Sequence, residues 1–313
     1  MPMRFFKGKI WCQLVVRIEC IGKMVEKAMD KFCIISNNTK DKDYQVSEYI
    51  KEYIEKSGKK CVITTNQKSK HPSQATDVLE IPKDTQCAIV LGGDGTIIQA
   101  ANDLVYEDLP ILGVNLGTLG FLAGIEKQNI DQALEQLMNG EFEIESRMML
   151  QGTAMCQGEE YFCGFALNDF VISKGGFCHL ITIKVYINQY LIDTYVADGV
   201  IVSTPTGSTG YNLSAGGPVM APELEATIIT PICPHSLNNR SLVISSEDEI
   251  VLEIGSTKDM QKDESVIVLD GRILNHMYTD DKITVTKAKN NTNIVRLNGS
   301  CFFGLFRNKL GKV

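Results

Sequence analysis

The 313-residue sequence has no CxxC pair among its ten cysteines, and its four histidines (His71, His179, His235, His276) do not cluster with them. Zinc ligands come in close pairs, so this spacing argues against a zinc site. No apolar run is long enough to span a bilayer; the stretch 10–21 is interrupted by Gln13, Arg17 and Glu19. No small-residue cleavage site comes after that stretch, which argues against a secretory signal. Free thiols in a reducing cytoplasm are the expectation. Basic residues are not in excess: 31 Lys and Arg face 38 Asp and Glu, a formal net charge of −7. Neither a nucleic-acid polymer nor an anionic membrane is therefore an expected partner. Internal repeats and low-complexity linkers are missing too. A composition of 44% hydrophobic and 22% charged residues excludes a disordered chain or a coiled-coil rod. What remains to be explained is 26 glycines, and their positions carry the information.

The chain changes texture twice. Residues 1–28 differ from the rest of the chain and are expected to be a non-core N-terminal extension, with Met29 an alternative start. From residue 31 onward, strand and helix signals alternate. KFCIIS (31–36), CVITT (61–65), CAIVL (87–91) and ILGVN (111–115) read as strands, the third continuously apolar as buried parallel strands are. Val46, Tyr49, Ile50, Tyr53 and Ile54 have helical spacing, as do Ile97, Ala101, Leu104 and Val105, and then Ile130, Leu134 and Leu137. This alternation predicts an N-terminal Rossmann-like open α/β domain over residues 29–144. After about residue 145, runs of period two take over: Ile181, Ile183, Val185, Ile187; Ile250, Leu252, Ile254; Val266, Val268; Ile283, Val285. Asn188-Gln189 and Asp270-Gly271 read as hairpin turns. Residues 145–297 are expected to form an antiparallel β-sandwich, and 298–313 a tail packing back on the α/β domain.

Five segments carry chemistry. LGGDGT (91–96) lies directly after a buried strand and directly before a helix, the geometry that offers backbone N–H groups and a helix N-terminus to a phosphate. It is neither GxxxxGK[ST] nor GxGxxG. It sets a carboxylate, Asp94, in a phosphate-facing turn, where it can accept a hydroxyl proton or help hold Mg²⁺. The other reading is a tight turn with Asp94 as helix cap. ADGVIVSTPTGSTGYNLSAGGP (197–218) runs from a short strand into an uncharged loop dense in hydroxyls and glycines, bordered by Asp198. Such a loop can bond phosphate or ribose. NLGTLGFL (115–122) comes after the fourth strand, and open α/β sheets bind ligands at the carboxyl ends of their strands. ALND (166–169) sets an amide beside a carboxylate, and PICPHSLNNR (231–240) holds His235. Taken alone, NLGTLGFL is equally a plain strand-to-helix connection, Asn168-Asp169 is an ordinary turn, and His235 is a structural histidine.

Together the five segments, in this order, resemble the NAD kinase family over about residues 31–310. The long TPTGST…SAGGP loop is the specific element, since lipid kinases and phosphofructokinases share GGDGT. The resemblance implies transfer of a phosphoryl group from ATP, or another phosphoanhydride, to the 2′-hydroxyl of the adenosine ribose of NAD, giving NADP, with a divalent metal (Mg²⁺ or Mn²⁺). It implies Asp94 as the base, with Gly95 beside it on the substrate and Phe121 packed near the nucleotide. Asn168 and Asp169 would hold the adenosine part, and Asp198 the ribose or nicotinamide end. Thr206, Thr209, Gly210, Tyr211, Asn212, Leu213 and Ser214 would line the dinucleotide, with His235 close by. It also implies a homodimer or homotetramer.

Three positions depart from the family pattern. Asp169 stands where Glu is common, and Gly210 where Ala is usual. Val196 stands two residues before Asp198, where many members carry a basic residue. Two other functions fit parts of the sequence. A diacylglycerol- or sphingosine-type lipid kinase shares GGDGT and a β-rich second domain, but not GVNLGTLGFLAG, and needs a membrane-binding stretch. A non-catalytic dinucleotide sensor has no use for Asp94.

Overall fold

The computed structural model describes residues 28–36, 40–65, 76–117, 120–156, 159–176, 179–236, 240–256, 264–297 and 302–310. The expected extension lies outside these apart from Ala28, while Met29 is buried in the first core.

The first half alternates as expected. Strand β1 (Lys31–Ser36), helix α1 (Gln45–Lys56), β2 (Lys60–Thr65), β3 (Cys87–Gly92), α2 (Asp94–Asp103), β4 (Ile111–Asn115), the short β5 (Ile125–Glu126), α3 (Ile130–Asn139) and β6 (Phe142–Arg147) come in order. Helices α1 and α3 bury their apolar faces: Val46, Ile50 and Ile54 on one, Ile130, Ala133, Leu134 and Leu137 on the other. Gly140 closes α3 at φ 75°, a left-handed position that glycine adopts at no steric cost. β3 is buried at every residue, with helices on both faces of the sheet.

The second half is β-rich: β7 (Leu150–Cys156), β8 (Glu159–Ala166), β9 (Asp169–Lys174), β10 (Ile181–Ile187), β11 (Tyr190–Ala197), β12 (Gly199–Ser203), the one-turn helix α4 (Tyr211–Ser214), β13 (Ala226–Ile232), β14 (Leu242–Ser245), β15 (Ile250–Ile254), β16 (Glu264–Leu269), β17 (Arg272–Tyr278), β18 (Lys282–Lys287) and β19 (Thr292–Leu297), then α5 (Phe302–Leu310). Two antiparallel six-stranded sheets, β11-β10-β15-β18-β7-β8 and β14-β13-β12-β9-β16-β17, enclose one apolar core. Ile181, Ile183, Val185, Ile250, Leu252, Ile254, Ile283 and Val285 all lie in that core, as period two requires. β16 differs. Its inward residues are Ile267 and Leu269, while Val268 packs on the opposite face with Val171, Ile201 and Ile232. The strand SVIVL is apolar on both sides, so its pattern alone does not choose the face. Both expected hairpin turns are present, with positive φ at Asn188-Gln189 (49° and 71°) and Asp270-Gly271 (47° and 80°).

The boundary between the halves differs from the expected one. β19 leaves the sandwich and inserts in the first sheet, order β2-β1-β3-β4-β19-β6, parallel to β4 and antiparallel to β6. Residues 145–147 of β6 belong to that sheet as well. Val295 and Ile294 supply the reason: they bury themselves in the two cores flanking the first sheet, and β19 pairs with β4 at Ile111, while the short β5 pairs with it at Val114 and Asn115. The ring of Phe302 in α5 lies 6.0 Å from that of Phe121 in the α/β half.

Candidate active site

Gly92 ends β3, and Gly93 is the N-cap of α2. Asp94 is thus the first helical residue and not the cap. Because β3 and β4 run parallel with Gly92 opposite Asn115, the loops after both strands emerge side by side. Asp94 turns its carboxylate onto the second loop. Its Oδ2 accepts the N–H of Phe121 (2.7 Å), and its Oδ1 accepts those of Leu122 (3.0 Å) and Ala123 (3.1 Å). Gly120 makes room for this: a Cβ there would stand 1.7 Å from Asp94 Oδ1. Gly95 beside it is exposed, and a Cβ on it would meet no protein atom within 4 Å.

The second cluster forms where β9 and β12 pair with Asp169 opposite Ser203. The chain leaves β12 through Thr204, whose N–H donates to Asn168 O (2.9 Å) and whose Oγ1 donates to Leu167 O (2.6 Å). Gly207 lies under Asn168, with room for no Cβ; one would fall 2.2 Å from Asn168 O. Tyr211, half exposed, lines a cavity of about 290 Å³ with Asn168, Asp169, Val171, Val268, Asp270 and Gly271. Asn168 Oδ1 is buried with no hydrogen-bond partner. Gly210 borders the same amide: a Cβ there would sit 3.6 Å from Asn168 Nδ2 and 3.2 Å from Gly207 O.

The rest of the loop is divided in its roles. Asn212 is fully buried and spends its amide inside the protein: Nδ2 donates to Ser208 O and Pro218 O, and Oδ1 accepts from Thr230 Oγ1. It holds the loop's shape. Thr206 is buried, with its Oγ1 accepting from Arg147 Nη1 (3.2 Å). Thr209 and Leu213 are half-buried, and Ser214 is exposed. At the far end of β12, Asp198 pairs with Lys174 Nζ (2.6 Å). His235 is exposed, anchored by its N–H to Val196 O (2.8 Å).

Two polar bridges join the clusters, and the sequence reading missed both. The first centres on Asp270 in the β16–β17 turn. Its carboxylate accepts N–H groups of Leu167 (2.9 Å), Asn168 (2.8 Å) and Asp169 (3.0 Å), and Nδ2 of Asn102 in α2 (2.7 Å). The hairpin signal Asp-Gly was visible; its carboxylate's reach to ALND was not. The second bridge runs through Arg147, Glu145 and Arg296 to the Phe121 turn. Electrostatics single out Asp169. Burial pushes its carboxyl up to about 7, and the neighbouring Asp270 charge adds to this. Burial also raises Asp270, against the hydrogen bonds that favour its charge. Burial raises the Tyr211 hydroxyl, and the charges of Cys233, Asp198 and Asp169 add to this.

The ATP-NAD kinase N-terminal domain family matches residues 17–142, and the ATP-NAD kinase C-terminal domain family matches residues 167–297. The chain belongs to the NAD kinase family. An NAD kinase of Lachnoclostridium phytofermentans is 47% identical over 285 residues, covering 90% of this chain and 99% of the relative. One of Caldanaerobacter subterraneus is 41% identical over 287 residues, with coverage of 90% and 99%. Among solved structures, yeast NADH kinase complexed with NADH superposes with TM-score 0.74 at 23% identity, covering 91% of this chain and 89% of that one. An Archaeoglobus fulgidus NAD kinase in complex with ATP gives 0.68 at 24%, covering 90% and 98%. These two likenesses show the fold. Family membership removes the lipid-kinase reading of GGDGT.

Proposed function

We propose that this NAD kinase family member transfers the γ-phosphoryl group of ATP to the 2′-hydroxyl of the adenosine ribose of NAD, giving NADP. The observation that carries this reading is the Asp94 carboxylate, fixed between two loops at the carboxyl ends of β3 and β4. A carboxylate has about four lone-pair positions. The turn uses three, two on Oδ1 and one on Oδ2. The remaining position on Oδ2 accepts the ribose proton as the hydroxyl oxygen attacks phosphorus and ADP leaves. At the start of α2, where Thr96 N–H already bonds to Gly93 O (2.9 Å), the amides of Asp94 and Gly95 face the phosphates.

The cavity under Tyr211 suits the adenosine end, with the unpartnered Asn168 Oδ1 available to a donor on the ligand. Asp169 faces the same cavity. Asp198, with Lys174, and His235 border the nicotinamide side. Thr206 and Asn212 support the loop from within, while Thr209, Gly210, Tyr211, Leu213 and Ser214 form its outer surface. Among the described residues, no group of three or more His, Cys, Asp or Glu is placed to hold a metal. The reaction calls for a Mg²⁺ or Mn²⁺ ion, which the nucleotide phosphates would carry, the usual mode for Mg²⁺. Such an ion neutralises charge on the transferred group. No helix among the described residues is long and apolar enough to cross a membrane, and five of the cysteines are free thiols. The free thiols support the cytoplasm as its location. Exposed Tyr190, Leu191 and Ile192 on edge strand β11 support a homodimer or homotetramer, which light scattering reads directly.

Purified protein with NAD, ATP and Mg²⁺ is expected to form NADP, monitored with an NADP-specific dehydrogenase. Asp94→Asn is expected to lower kcat by ~10²–10⁴, the usual contribution of a general base. A folded Asp94→Asn protein at near-full rate would remove Asp94 from that role.

A further inference from the structure

The turn that Asp94 grips is held from its other side as well. Arg296 Nη2 donates to Phe121 O (3.3 Å) and Nη1 to Leu122 O (3.4 Å). Three backbone N–H groups of the turn point to Asp94 and two of its carbonyls to Arg296, so the turn is clamped between a carboxylate and a guanidinium. Arg296 itself is held by Glu145, whose Oε2 accepts its Nε (2.7 Å) and also Arg147 Nη2 (2.7 Å). Arg147 Nη1 then donates to Thr206 Oγ1. Sheet register sets this row. β6 and β19 pair with Arg296 opposite Glu143 and Ile294 opposite Glu145, so Arg296, Glu145 and Arg147 share one face.

The row is costly. Side-chain exposure is 3% for Arg147, 17% for Glu145 and 14% for Arg296. Two guanidinium groups share one carboxylate, and Arg147 Nε is buried without a partner. Burial pushes the Glu145 carboxyl up, but the two arginines outweigh it and hold it below the ordinary carboxylate range. Buried ion clusters of this kind are often no more stabilising than apolar residues of the same volume. Stability alone therefore gives little reason for the row. Its two ends do: one is the turn that orients Asp94, the other the loop expected to carry the dinucleotide.

We propose that Arg296 is a positioning residue for phosphoryl transfer, holding the Phe121–Ala123 turn against Asp94 and, through Glu145 and Arg147, fixing that turn relative to Thr206. This rests on the reading of Asp94 as base. It predicts that Arg296→Gln lowers kcat about 10- to 100-fold with KM for NAD and ATP changed less than about threefold, since a displacement of about 1 Å at a reacting group costs this much. Arg296→Lys falls to a similar level, because an ammonium can keep Glu145 but cannot span two carbonyls. Glu145→Gln lowers kcat less, in the same direction.

Two readouts separate positioning from mere support of the fold. In the Asp94→Asn background, adding Arg296→Gln costs no further activity, because the group it positions is gone. Deuterium exchange of the peptide containing residues 121–123 speeds at least about tenfold in Arg296→Gln or Glu145→Gln, with the sandwich peptides unchanged. A full multiplicative loss in the double variant overturns the proposal. So does unchanged exchange at 121–123, whatever the activity. Near-full activity of Asp94→Asn sinks the base reading instead, and the exchange experiment still decides the clamp.

Discussion

Three backbone N–H groups end on the carboxylate of Asp94, and the geometry leaves one glycine no alternative. At Gly120 a Cβ would overlap Asp94 Oδ1 at 1.7 Å and Cγ at 2.2 Å, and neither atom is the end of a long flexible chain. Gly120→Ala is therefore expected to displace the carboxylate and lower kcat by about 10², with KM for ATP little changed. Gly95 makes the contrast. A Cβ there meets no protein atom within 4 Å, so Gly95→Ala folds without strain. It is expected to raise KM for the nucleotides by crowding the backbone they approach. Steady-state kinetics on the two variants tests both: a KM effect at Gly120 or a purely kcat effect at Gly95 contradicts the geometry. Asp94 and its loop were legible in GGDGT leading into a helix. The role of Gly120 was legible only as a glycine in NLGTLGFL, because the atom it clears comes from 26 residues earlier.

The β9–β12–β16 unit brings two acidic groups together at one end, and its elements differ in how far the sequence shows them. Strands β9 and β12 are legible in their apolar runs, and the Asp270-Gly271 turn in its residue types, both in left-handed backbone. The inward face of β16 is not, since Ile267 and Val268 are both apolar and packing chooses between them. Nor is the approach of Asp270 to ALND, which spans about a hundred residues. That approach has a consequence for pH. Asp169 is 4% exposed, and its carboxyl lies at about 7 in the folded protein against 3.8 ordinarily. The folded state thus binds this proton more tightly than the unfolded chain. Stability from Asp169 is complete below about pH 4 and is lost as pH rises through 7. Each unit of difference is worth ~1.4 kcal/mol. Asp169→Asn, neutral throughout, is expected to gain ~2–4 kcal/mol relative to the native protein between pH 4 and pH 8. Urea unfolding of the two ligand-free proteins across that range measures it, and parallel curves would place the Asp169 proton elsewhere.

At the level of the whole chain, the two textures of the sequence suggested two consecutive domains, and the division is real in architecture but not in chain order. The first sheet lacks a strand until β19 arrives, after the entire sandwich has been made. Among the described residues β6 pairs with β19 and with no other strand, and β4 gains its second long neighbour only then. The segment TNIVRL resembles the sandwich strands before it, so nothing local marks its departure. Arg296, on the same strand, ties its guanidinium to Glu145 and the Phe121 turn, and Asn102 to Asp270 ties the halves again. A fragment ending at residue 150 should then hold β1–β4 with the β4 edge paired only to the two-residue β5, and with β6 unpaired. Open edges of that kind recruit other chains, and contacts such as Ile111 with Ile294 cannot form. The fragment is expected to aggregate or to melt without a cooperative transition, even though it contains GGDGT and the strands and helices read from the sequence. Adding residues 290–298 back through a short Gly/Ser linker after residue 150 is expected to restore a cooperative melt, because it returns the missing strand without the sandwich. Circular dichroism melting and light scattering of the two fragments distinguish the outcomes. A cooperative, monomeric fragment without β19 would show that the first sheet closes on its own.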